Sequence, residues 1–343
     1  MKLEVAACAL QLKTPLQASY GVVRERPLLL VSIRDAQGAA GHGEAAPLPG
    51  YDGSDVELVA AALQRHAEVL ARCHDEDPPE LLRACREAAD VPAALAAVDM
   101  ALWDRAGRLA GQPVAALLSE QPAQRVAVNA VLTAPDRAGL AGQAAGAVRD
   151  GFRCLKVKVG LGDDAGRIAA ARAAAGPDAA LRVDANGAWD VEQAVRQIEA
   201  LAPAGLELVE EPVHGVRATR EVRARVPVRI AIDETAAEQG ALAAGVADAV
   251  CLKISRCGGI SALLTAAAAV RSSGAEPYVA STLDGPLGIA AGLHAAAALA
   301  AAGPLPHCGL ATLGLFAGID DPLPPRAGAV ELPSSPGLGV EPF

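Results

Sequence analysis

The sequence predicts an α/β protein: a modified (β/α)7β barrel of the TIM type carrying an α+β N-terminal capping domain. Three observations support this. First, five short apolar runs each close on a polar side chain. They are CLKVKVG with Lys158, ALRVDANGAW with Asp184, LELVEEPV with Glu210, VRIAIDETA with Asp233 and AVCLKISRCGG with Lys253. Successive intervals are 26, 26, 23 and 20 residues, about the length of a strand, a crossover helix and two loops. Second, all five polar groups then project from one end of a parallel sheet, the end where such barrels carry their active sites. Third, the chain changes character before the alternation begins and again after it ends.

The elements follow in order. Residues 1 to about 60 read as strands, LEVAACALQL, PLLLVSIRD and the GHGEAAP turn, with a polar tip at DAQG. A helical region runs from Ser54 to about Ala110, with Ser54 as the expected N-cap before Asp55 and Glu57. The β/α alternation occupies Val126 to about Gly309. The Pro- and Gly-rich tail is too short for another unit and is expected to return to the cap. The expected domains are therefore residues 1–118, joined by the C-terminal segment 312–343, and a barrel over 119–311. The stretch Gly288 to Leu305 carries no charge if His294 is neutral. Its alanines and glycines gain little from lipid, so it reads as a buried barrel helix rather than a membrane span.

Composition excludes several functions. A net charge of −10 with no basic cluster argues against a nucleic-acid partner. Seven cysteines, odd in number and without CxxC pairs, read as reduced core residues of a cytoplasmic protein. MKLEVAACALQL alternates like a strand and lacks the pattern of a signal peptide. The six histidines show no HExxH spacing. The expected partner is a small-molecule carboxylate, with no membrane; the sequence does not give the oligomeric state, and a homo-oligomer is common among such enzymes.

Three carboxylates converging on one pocket repel one another unless a hard cation holds them. Mg²⁺, or Mn²⁺ in its place, suits an oxygen set with open positions. Two amines flank that centre. A lysine is a base only when neutral, and its ordinary pKa of ~10.4 is too high for that. A second cation in a KxK pair, on the same face at period two, is the physical remedy: Lys156 stands there beside Lys158.

The combination KVKVG, VDANGAW, VEEP, IDET and LKISRCGG, with GHGEAAPLPGYDG in the cap, resembles the enolase superfamily and, within it, the mandelate racemase and muconate-lactonizing branch. The resemblance covers essentially the whole chain. It implies Asp184, Glu210 and Asp233 as Mg²⁺ ligands, and Lys158 and Lys253 as acid/base residues on opposite faces of the substrate. It implies Lys156, Asn186 and Glu234 as supporting residues, and removal of a proton α to a carboxylate as the shared step. Glu211 competes with Glu210 as a ligand, since both precede Pro212. Strand alternation and the family pattern favour Glu210.

Within that branch the segments HCGLATLGLF and ASTLDGPLGIAAGL are most similar to the o-succinylbenzoate synthases. These are lyases that dehydrate 2-succinyl-6-hydroxy-2,4-cyclohexadiene-1-carboxylate on the route to menaquinone. Dipeptide epimerases carry an Asp-x-Asp pair where Gly309 and Ala311 stand here, so an ammonium would lack a counter-ion. Ser281 and Asp284 occupy positions where the synthases often have Ser and Glu. The loop from Ser19 to Arg26 and the loop around Leu48 to Ser54 are expected to close over the substrate, with Arg24 or Arg26 facing a succinyl carboxylate. An N-succinylamino acid racemase or a muconate-type cycloisomerase would use the same metal and lysines. A barrel aldolase with a Schiff base on Lys253, or a non-catalytic binding protein, fits the carboxylate set less well.

Overall fold

A computed structural model of the chain describes residues 1–18, 21–73, 77–160 and 162–342. The N-terminal part is an antiparallel sheet of β1 (Lys2–Ala18), β2 (Gly21–Arg34) and β3 (Ala40–Ala45). In β2, Leu29, Val31 and Ile33 recur at period two and are buried. They pack against Leu63, Leu70, Leu95 and Leu102 of the helices Val56–Arg72 and Pro92–Ala110. The first of these helices is capped by Asp55, whose carboxylate accepts from Leu58 N at 2.7 Å. Ser54, the expected cap, is displaced by one residue. Its own N–H donates to Asp52 Oδ1 at 2.8 Å, closing the preceding turn.

Seven parallel strands follow in sequential order: Ala130–Leu132, Cys154–Lys158, Ala180–Asp184, Leu208–Glu210, Ile230–Ile232, Ala249–Leu252 and Glu276–Val279. Cys308 and Gly309 take the eighth position, bridging Val128 on one side and Ala280 on the other. The sheet thus curls on itself, with helices outside. The helix Pro286–Ala301 contains most of the charge-free stretch and is buried throughout from Pro286 to Leu299. Among the described residues, no helix is long and apolar enough to cross a membrane.

The C-terminal segment touches both parts. Phe316–Ala317 adds to β1, and Ala329–Glu331 pairs with Arg125–Ala127 beside the barrel. One apolar cluster joins Leu10, Leu28 and Leu48 of the N-terminal part to Ile254, Leu287 and Leu310 of the barrel. That shared core holds the loop after β3 over the strand ends.

Candidate active site

Strand register brings the polar residues together. Lys158 lies level with Asp184, and Asp184 with Glu210, on adjacent strands. Asp233 and Lys253 follow directly after the fifth and sixth strands. The three carboxylates are 1%, 0% and 3% exposed, so each needs a partner. Lys156 Nζ lies 3.0 Å from Asp184 Oδ2 and donates to Glu210 Oε1 at 2.7 Å. Lys158 Nζ donates to Asp184 Oδ2 at 2.9 Å and to Asn186 Oδ1. Lys253 Nζ donates to Asp233 Oδ2 at 2.6 Å and to the Tyr51 hydroxyl at 2.7 Å. The Tyr51 hydroxyl in turn donates to Asp233 Oδ1, and Tyr278 donates to Glu210 Oε2 at 2.8 Å.

Burial and charge oppose each other at every member. Burial alone would raise Asp184, but the Lys156 and Lys158 ammonium groups hold it below the ordinary carboxylate range. Asp233 is lowered in the same way by Lys253 against its burial. Glu210 goes the other way: burial, with the charges of Asp184 and Asp233, outweighs Lys156 and raises it. Burial pulls Lys253 down, yet Asp233 more than offsets this and its ammonium is held above the usual lysine range. Glu234 is pushed up to about 8 by burial and by Asp233.

The choice between the paired glutamates is visible in the geometry. Glu210 faces the barrel interior. Glu211 has φ +41° and turns its carboxylate into the next loop. There it accepts from Asp233 N at 2.7 Å, Thr235 N at 2.9 Å and Thr235 Oγ1 at 2.5 Å. Asn186 takes the left-handed region its residue type tolerates, at φ +44°. Its Nδ2 donates to Glu234 Oε1 at 3.0 Å while its Oδ1 receives Lys158. It therefore ties two strand ends together.

A cavity of about 80 Å³ opens beside these groups. Lys156, Lys158, Asp184, Asn186, Lys253 and Ser281 line it, opposite an apolar wall that includes Leu16, Leu48, Val131 and Leu315. Besides the buried carboxylates Glu210 and Asp233, four predicted residues do not line it. Arg24 is exposed, and Glu234 lies beneath Asn186. Asp284 is buried and accepts from Thr282 N at 3.2 Å and Thr282 Oγ1 at 2.5 Å. Arg26 is fully buried, and its guanidinium donates to Pro47 O at 2.5 Å, Ala46 O at 2.7 Å and Leu283 O at 3.4 Å. It clamps the cap loop instead of facing the cavity. Ser19 and Tyr20, at the start of the loop expected to close over the substrate, lie outside the described residues. Sequence reasoning missed Tyr51, Tyr278, Asn129 and Thr312. Tyr51 had a signal of its own, as an aromatic within the PLPGYDG turn already read as a covering loop.

The donor set fits a hard divalent cation. Ligand atoms of Glu210, Asp233 and Cys251 lie within 4.8 Å of one another, and Lys156 bridges Asp184 to Glu210. Cys251 is a soft donor whose thiol is raised far above its usual range, by burial first and then by Asp233. That leaves the all-oxygen trio Asp184, Glu210 and Asp233 as the set suited to Mg²⁺. The ammonium groups of Lys156, Lys158 and Lys253 neutralise charge that such an ion would share.

Comparison with known proteins shows the family of the chain. A model of the mandelate racemase / muconate lactonizing enzyme N-terminal domain matches residues 1–119, and one of the enolase C-terminal domain-like family matches residues 139–343. The chain is 32% identical to muconate cycloisomerase 1 of Rhodococcus opacus, over 92% of this chain and 88% of that protein. It is 43% identical to the o-succinylbenzoate synthase of Thermobifida fusca over 175 residues, 49% of this chain and 53% of the relative. The crystal structure of a dipeptide epimerase from Enterococcus faecalis, complexed with Mg and the dipeptide L-Leu-L-Tyr, superposes with a TM-score of 0.88 at 28% identity. It covers 98% of each chain.

Proposed function

The chain belongs to the mandelate racemase / muconate lactonizing enzyme family of the enolase superfamily, and on that premise we propose that it is an o-succinylbenzoate synthase. It would be a Mg²⁺-dependent lyase that dehydrates 2-succinyl-6-hydroxy-2,4-cyclohexadiene-1-carboxylate. The observation that carries this reading is the pair Lys158 and Lys253. They flank one small, apolar-walled cavity from the second and sixth strand positions, across the barrel from each other. The higher identity to the synthase over half the chain supports the choice of substrate. So does Gly309 in the cavity wall, which offers no carboxylate to a substrate ammonium.

In this reading Lys158 Nζ takes the proton α to the ring carboxylate. The electron pair passes into the ring, the C–O bond to the hydroxyl breaks, and the same ammonium returns the proton to the departing oxygen. One water leaves and the ring becomes aromatic. Lys253, an ammonium fixed by Asp233 and Tyr51, places positive charge where the enolate develops. Asp184, Glu210 and Asp233 would hold the Mg²⁺, whose charge makes the α-proton acidic enough to remove. Asn186 fixes Lys158, and Lys156 keeps Asp184 and Glu210 together.

An ultraviolet assay of the purified protein with the cyclohexadiene precursor and Mg²⁺ tests this. Conversion that EDTA and Lys158→Ala both abolish is expected. Absence of conversion, with α-proton exchange of N-succinyl amino acids in D₂O, would replace the lyase by a racemase using the same two lysines.

A further inference from the structure

Asn129 stands just before the first barrel strand, two residues from Val131 and so on the same face. Its backbone is fixed, because its N–H donates to Cys308 O at 3.0 Å. The side chain is 2% exposed, and its residue lines the cavity together with Val131, Ala280 and Gly309. Yet among the described residues Asn129 Nδ2 has no hydrogen-bond partner. A buried amide donor without a partner is costly, and at a cavity wall it points to a ligand that completes it.

Gly309 makes this end of the cavity reachable. A Cβ there would stand 2.9 Å from Ala280 Cβ and 3.6 Å from Asn129 Oδ1, filling the gap between them. The ligand atom must also be uncharged. Each lysine lining the cavity already contacts a carboxylate, and a neutral amide alone does not offset the burial of an anion.

We propose that Asn129 is a specificity-determining residue that donates, through Nδ2, to an uncharged carbonyl oxygen on the substrate. On the function proposed above, on which this inference rests, that oxygen is the ketone of the succinyl arm.

The test is equilibrium binding, by calorimetry with Mg²⁺ present, of o-succinylbenzoate and of 2-(3-carboxypropyl)benzoate, which lacks only the ketone oxygen. Wild-type protein should bind the ketone about tenfold more tightly. Asn129→Leu, which keeps the volume and removes the orphan donor, should erase that preference while melting no lower than wild type. If Asn129→Leu does not fold, Asn129→Ala with the same pair of ligands decides the matter. A preference that survives in the variant, or wild-type protein that binds both ligands equally, would overturn the inference and leave the lyase reading intact. Wild-type protein that binds neither would overturn the two together.

Discussion

Lys158 and Lys253 differ in what surrounds them, and that difference assigns them different work. Lys253 is fixed by a carboxylate and a tyrosine and lies 4.1 Å from the Tyr51 ring centre, so it is built to remain an ammonium. Lys158 is held by Asp184 and Asn186, with its amine on the cavity wall. Replacing either with alanine should lower kcat by about a thousandfold, the scale of a lost acid/base group for Lys158 and of a lost charge-stabilising donor for Lys253. The Mg²⁺-induced rise in melting temperature should persist in both variants, and a thermal melt of each, with and without Mg²⁺, checks this. The glutamate pair gives a sharper contrast. Glu210→Gln should abolish the Mg²⁺-induced shift. Glu211→Gln should destabilise the protein by about 2 kcal/mol or more even without metal, because an amide NH2 replaces one carboxylate oxygen and leaves a buried donor, at Asp233 N or at Thr235, without its acceptor. If both variants keep the shift and the stability of the parent, the division of roles is wrong.

At the scale of elements, the N-terminal sheet meets the barrel through buried polar groups. Glu44 of β3 accepts from Gly285 N at 2.6 Å and Leu287 N at 3.2 Å, at the start of the helix Pro286–Ala301. Burial, with the Asp284 charge beside it, pushes Glu44 up to about 8 from an ordinary 4.5. Folding therefore favours the protonated form. This contribution to stability is fully present below pH 4.5 and is lost as pH rises toward 8. Asp284 is raised in the same direction, first by burial. Denaturant unfolding of Glu44→Gln across that range should show a flatter pH dependence than wild type, and parallel curves would refute the account. Arg26 is the second tie. Arg26→Leu would strip donors from the buried carbonyls of Ala46, Pro47 and Leu283, at about 3 kcal/mol or more. Since Leu48 lines the cavity just beyond that clamp, KM should rise with the loss of stability.

For the whole molecule, the Mg²⁺ site proposed on the three buried carboxylates would link metal to folding. Mg²⁺ at a hundred times its dissociation constant should stabilise the protein by about 2.7 kcal/mol, and EDTA should reverse it. A melting temperature indifferent to both would remove the metal from the account. The barrel half of this site was legible in the sequence. Five of the strands show a short apolar run closing on one polar side chain, so Lys158, Asp184, Glu210, Asp233 and Lys253 could be placed on one rim from spacing alone. Arg26 could not be read, because an arginine in a strand has the same local pattern whether it faces a ligand or a set of carbonyls. Asn129 was silent too, since the three-residue strand after it is too short to show a period.

The sequence by itself determined the β/α rhythm, the acidic trio and the two lysines, because an apolar run that closes on one polar residue is a local property that neighbouring residues encode. Tertiary structure decided what closes over them. Tyr51 reaches Asp233 across 182 residues of chain, Arg26 turns inward to hold the cap loop, and Gly309 leaves Asn129 uncovered. Those contacts arise only where the N-terminal sheet, the barrel rim and the eighth strand position share one core, and no local pattern carries the distance between them.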